Sequence, residues 1–68
     1  MRREREMMVE RCVARLPRRL KEAVILRFHQ DLSYAEMSEI LGRSETALRT
    51  RIFKALGRLR KCMRGHRP

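Results

Sequence analysis

Arg49, Thr50, Phe53 and Lys54 are the residues of this sequence whose types and spacing best suit one recognition task. At about 100° per residue of helix they fall on one side, together with Glu45 and Thr46. Arginine brings a planar fork of donors, threonine a methyl beside a hydroxyl, and phenylalanine an apolar ring. Those groups match the edges of DNA base pairs. Guanine O6 and N7 accept from arginine, the thymine methyl takes apolar contact, and a carboxylate such as Glu45 can accept from a cytosine amino group. The competing use of an exposed Phe53 is packing, on the first helix of the chain or on a partner protein.

Other chemistries are poorly supplied. Cys62 and His66 stand one helical turn apart, and Cys12 and His29 would have to complete any metal site. That requires four ligands from three elements with none of the usual C-x₂-C spacing. Two cysteines fifty residues apart do not make a disulfide framework, so both are expected as small buried apolar residues of a reduced, cytoplasmic protein. No nucleophile–base pair, paired carboxylates or glycine-rich phosphate loop is present, and the two histidines read as surface groups. The expectation is a protein that is not an enzyme, with no catalytic residue, metal or cofactor.

The charge supports a polyanionic partner. The 68 residues carry 18 Lys and Arg against 8 Asp and Glu, a net +10, and fifteen of the cations are arginines. Residues 1–42 contribute only +2, whereas residues 43–68 hold nine cations and one acid, a net +8. A one-ended positive field attracts nucleic acid first and an anionic membrane surface second. The length allows one small domain and excludes most two-lobed enzymes, dinucleotide folds and barrels. An apolar share of 43% is near the globular norm and argues against a disordered basic tail. There is no apolar run long enough to span a membrane and no signal-peptide pattern at the N-terminus.

The elements that position these residues are all helical. Met8, Val9, Cys12, Val13 and Leu16 recur at helical spacing until Pro17 ends the pattern. From Arg18 to about Gln30 the chain is apolar on several sides, which predicts a central helix packed on more than one face. Arg27 interrupts it and is expected to reach solvent or an acid such as Glu36 or Glu39. Ser33-Tyr34-Ala35-Glu36 is a capping box flanked by Leu32 and Met37 at the staple positions. Gly42 after Leu41 suits a left-handed helix end, and Ser44 can cap again with Glu45 in the first turn. The last helix runs from Glu45 to about Met63. Its inward stripe is Leu48, Ile52, Ala55, Leu56, Leu59, Cys62 and Met63, and Gly57 invites bending or fraying beyond it.

A short helix over 33–41, a turn through Gly42 and Arg43, and a basic helix from Ser44 outline a helix-turn-helix, whose second helix enters the major groove. Ser38, Gly42 and Leu48 fall where the unit needs a small crossing residue, a turn glycine and an apolar anchor. The fold class is therefore all-α, a compact four-helix domain with a basic recognition helix. Phosphate contacts fall to Ser33, Tyr34, Arg43, Ser44, Arg51, Arg58 and Lys61. The expected organisation is a charged arm or linker remnant over 1–6, the DNA-binding domain over 7–64 and a flexible tail over 65–68.

These residues carry a family likeness. Leu16-Pro17, Glu22-Ala23-Val24-Ile25-Leu26-Arg27, Leu32-Ser33-Tyr34-Ala35-Glu36-Met37, Glu39-Ile40-Leu41-Gly42 and Ala47-Leu48-Arg49-Thr50-Arg51-Ile52-Phe53-Lys54-Ala55-Leu56 resemble the C-terminal region, region 4, of bacterial sigma factors. The likeness is greatest to the extracytoplasmic-function group and covers about residues 14–63. It implies recognition of the −35 promoter element in double-stranded DNA during transcription initiation, with Arg49, Thr50, Phe53 and Lys54 at base-facing positions. It also implies contact with the β flap of RNA polymerase core and sequestration by an anti-sigma factor; no membrane attachment is expected, because the apolar stripe of the last helix is needed for the core. The sequence departs from the family pattern at Ser38, where alanine is usual, at Ser44-Glu45-Thr46, and at Gly57. The family's other domain, which binds the −10 region, has no counterpart in these 68 residues. Two further readings remain: the DNA-binding domain of a response-regulator-type helix-turn-helix protein, and a basic interaction module bound by an acidic partner.

Overall fold

The computed structural model describes residues 4–65, and every regular element among them is helical. Helix α1 spans Glu4–Ala14, α2 Arg18–Val24, α3 Tyr34–Leu41 and α4 Glu45–Arg64. Residues 4–6, read from sequence as part of an arm, lie in α1; residues 1–3 and 66–68, and with them His66, lie outside the described residues.

Local chemistry sets the ends. The Arg15 and Leu16 amides donate to the carbonyls of Cys12 and Val13 at 3.2 and 3.0 Å, and Pro17, with no N–H of its own, separates α1 from α2. The helix begun at Arg18 widens into a π-helical turn over Ile25–His29, in which the Gln30 amide donates to the Ile25 carbonyl at 3.0 Å. Asp31 then takes a left-handed backbone with φ +57°, a conformation aspartate tolerates better than most residues.

The capping box forms as the spacing requires. The Glu36 amide donates to Ser33 Oγ at 3.1 Å, and the Ser33 amide donates to Glu36 Oε1 at 2.8 Å. The Ser33 amide, and after it the Ser33 side chain, hydrogen-bond the Glu36 carboxyl and hold it below its ordinary value of 4.5, because both favour the charged form. Gly42 closes α3 at φ +66°, where any side chain would be strained. The Ser44 hydroxyl oxygen accepts from the Ala47 amide at 3.1 Å and opens α4.

The central helix is α4, not the apolar stretch after Pro17. Helices α1, α2 and α3 all pack on it. The core joins Leu16, Ala23, Val24, Met37, Leu48, Ile52 and Ala55, with Leu32 and Leu59 against its edge. Ile25 and Phe28 instead remain 37% and 56% exposed, so the apolar stretch is not enclosed on every side. Leu56, placed by periodicity in the inward stripe of α4, is also partly exposed.

Cys12 and Cys62 correct the sequence expectation most directly. They form a disulfide, with Cα atoms 5.8 Å apart, that ties α1 to the C-terminal half of α4. Cys12 is buried, as expected of a small apolar residue, but neither sulfur is a free thiol or available as a metal ligand.

Helix α4 continues through Gly57 to Arg64 without a break. A Cβ built at Gly57 meets nothing within 4 Å. Gly57→Ala is therefore expected to stabilise the domain by about 1 kcal/mol, the helix-propensity difference. A thermal melt should show a midpoint higher by about 4–8 °C.

Candidate nucleic-acid interface

The turn between α3 and α4 is built by side chain as well as glycine. Ser38, on α3, donates its hydroxyl to the Arg43 carbonyl at 2.6 Å. The serine that departs from the family's alanine thus remains small at the crossing and also ties down the turn residue before Ser44. Leu48 is fully buried one turn into α4 and fixes the rotation of that helix. The outward face is set by that anchor.

Of the six residues expected to face bases, Thr46, Arg49, Thr50, Phe53 and Lys54 are exposed, and Glu45 is half-buried. Phe53 is 74% exposed, the most exposed large apolar side chain described. Its packing alternative, burial on the first helix, is thereby removed. The Thr50 hydroxyl donates to the Thr46 carbonyl at 3.1 Å, which uses its hydrogen inside the helix and leaves a methyl as its outward apolar group. Glu45 Oε1 lies 3.5 Å from Arg49 Nη2, one helical turn away. The exposed pair offsets the negative charge that Glu45 would otherwise present beside a polyanion.

The residues expected to hold phosphates divide into two groups. Ser33, Tyr34, Arg43 and Ser44 stand at the N-terminal ends of α3 and α4, where Ser33 and Ser44 each accept an amide hydrogen and the Ser44 hydroxyl keeps its own hydrogen to donate. Arg51, Arg58 and Lys61 extend along α4. At 100° per residue, Lys54, Arg58 and Lys61 lie within about 60° of one another and form a cationic edge beside the base-facing side. Arg51 is partly buried, while Arg58 and Lys61 are exposed. Arg58 and Lys61 also line a hollow with Arg15 over the Cys12–Cys62 bond, so cations from α4 and from the turn after α1 meet at that end.

The Tyr34 ring carries two cations. It is half-buried, and the guanidinium carbons of Arg27 and Arg49 lie 4.9 and 4.8 Å from the centre of its ring. Arg27 reaches neither Glu36 nor Glu39. It donates from Nη1 to the Leu32 carbonyl at 2.9 Å, filling a backbone acceptor in the loop before α3. No sequence motif marks this arrangement, because Arg27 and Arg49 belong to different helices.

A second surface has no sequence signal of its own. Ile25 borders two shallow apolar hollows, one with Val9, Val13, Val24 and Phe28, the other with Leu26, Ile40 and Leu41. Ile40 is 60% exposed. None of the base-facing residues lines either hollow. Among the described residues no helix is long and apolar enough to cross a membrane.

Comparison with known proteins adds independent information. The family described as "Sigma-70, region 4" matches residues 6–59. The chain is 42% identical over 45 residues to the RNA polymerase sigma factor SigV of Bacillus subtilis (strain 168), a match covering 66% of this chain and 27% of that protein. The chain thus aligns with little more than a quarter of the relative's length. No solved structure matches the chain.

Proposed function

We propose, because this chain belongs to the sigma-70 region 4 family, that it binds the −35 element of promoters as the DNA-reading part of an extracytoplasmic-function sigma factor. In that role it directs RNA polymerase to those promoters in the cytoplasm. The observation carrying this reading is the capped helix-turn-helix that leaves Thr46, Arg49, Thr50, Phe53 and Lys54 exposed on the first turns of a cationic helix. A helix docked by its N-terminal half in a groove about 12 Å wide brings those side chains to base edges. Glu45 and Thr46 lie first along the helix. Ser33, Tyr34, Arg43, Ser44, Arg51, Arg58 and Lys61 hold the flanking phosphates.

Selection from a pool of random duplexes tests the reading. The chain should enrich one short motif. Arg49→Ala should cost about 1–3 kcal/mol at particular base pairs and leave the others unchanged. Phe53→Ala should relax preference where a thymine methyl is read. A pool with no enriched motif, or an Arg49→Ala loss equal on all sequences, would remove base reading by this face.

The apolar surface around Ile25, Phe28 and Ile40 supports a protein partner in addition to DNA, since exposed apolar groups of this kind mark contact sites. The β flap of RNA polymerase core is the partner proposed for it, and an anti-sigma factor would compete for the same chain. Family membership speaks against the response-regulator reading, whose members bind paired half-sites as dimers.

A further inference from the structure

We infer that Tyr34 is a positioning residue for base recognition: its ring holds the Arg49 guanidinium in place before DNA arrives. The inference rests on the promoter-reading function proposed above and assigns Tyr34 a part in it that differs from a phosphate contact.

The supporting geometry runs from backbone to ring to cation. Tyr34 is the first residue of α3, and the reciprocal Ser33–Glu36 hydrogen bonds fix its backbone. Its ring packs against the core and is half-buried. Arg27, anchored on the Leu32 carbonyl at 2.9 Å, lies over the ring at 4.9 Å. Arg49 lies over the same ring at 4.8 Å, although its own side chain is 58% exposed. An exposed arginine ordinarily samples many rotamers, and ordering it on DNA costs entropy. A ring contact at this distance restrains the side chain, and the long, solvated Glu45 contact at Nη2 is one that a bidentate guanine contact can replace. The Glu45 contact, at 3.5 Å and exposed, is too long and too solvated to restrain Arg49 alone.

The test compares the 68-residue chain with Tyr34→Leu, Tyr34→Phe, Arg49→Ala and the Tyr34→Leu/Arg49→Ala double variant. The first readout is the NMR spectrum without DNA. The Arg49 side-chain resonances should be shifted by the ring current in the parent and in Tyr34→Phe, and should lose that shift in Tyr34→Leu. The second readout is the affinity ratio between the selected duplex and duplexes changed at the base pair that Arg49 reads. Tyr34→Leu should reduce this ratio by about two- to fivefold, the size of an exposed cation–π contact. Tyr34→Phe should preserve the ratio even if loss of the hydroxyl weakens all sequences alike, and Tyr34→Leu should change nothing further once Arg49 is alanine. If Tyr34→Leu fails to fold, the ring-current shift of Arg49 in the parent and in Tyr34→Phe still tests the stack. An unshifted Arg49 in the parent overturns the stack itself. A shifted Arg49 whose removal affects all sequences equally overturns the inference by a separate route, through the loss of base reading.

Discussion

Reducing the Cys12–Cys62 bond should destabilise the domain by about 4 kcal/mol, the chain-entropy value for a closed loop of this size. The bond spans a sequence separation of 50 residues, from the first helix to the last two turns of the fourth. A chain of this length has a total stability of about 3–10 kcal/mol, so the loss is comparable with the whole. The native contacts explain why little else compensates. Apart from Cys12, the buried residue at the end of α1 is Leu16, with Val13 only partly covered. In urea, at about 1 kcal/mol per M for so small a chain, the unfolding midpoint should fall by roughly 3–4 M on reduction. Amides of α1 should lose hydrogen-exchange protection before those of α3 and the first turns of α4. A Cys12→Ala/Cys62→Ser variant should match the reduced chain. An unchanged midpoint, with both thiols shown free by alkylation, would mean that packing alone holds α1 on α4.

That bond also shows where the sequence stopped being informative. Helical periodicity placed Cys62 on the inward stripe of α4 and Cys12 on the inward side of α1, and both placements hold. Periodicity says which way each residue points, but not which two helices face each other across fifty residues. The same limit explains Ile25 and Phe28. An apolar stretch reads as enclosed, yet among the described residues no neighbour covers Ile25 and Phe28 fully, and the π-helical turn over Ile25–His29 adds a residue to the turn and rotates the chain beyond it. Arg27 lies within that turn, and it meets a carbonyl and an aromatic ring instead of an acid.

The helix-turn-helix was legible because its signals are local. Ser33 and Glu36, Gly42, and Ser44 each act on amides or dihedrals within a few residues, and each does so in the structure. Exposure of Phe53 came from the same local phase of α4, once Leu48 and Ile52 were set as its buried side. The Ser38 bond to the Arg43 carbonyl was not legible, since small size alone accounted for that position.

Binding to duplex DNA should weaken by roughly 10²–10³-fold between 50 and 200 mM salt, if about four to six phosphates are neutralised at 0.9 counterions each. The cations available for this are those of residues 43–68, which hold a net +8 while the scaffold before them holds only +2. Arg43, Arg51, Arg58 and Lys61 are the proposed phosphate partners, and their removal should act differently from removal of Arg49. Arg58→Gln should lower affinity for every sequence alike and make the salt slope shallower by about 0.9, whereas a base-reading variant should change the preferred sequence. Arg58 is a demanding case because it stands beside the Cys12–Cys62 bond. Its variant should therefore be compared under oxidising conditions, with the melt showing unchanged stability. A slope near zero would move the positive end of α4 from DNA to an acidic protein surface, where only a few desolvated pairs carry the binding. A steep slope with an Arg58→Gln loss confined to one base pair would instead place Arg58 among the readers, lengthening the base-facing part of α4 by more than a turn beyond Lys54.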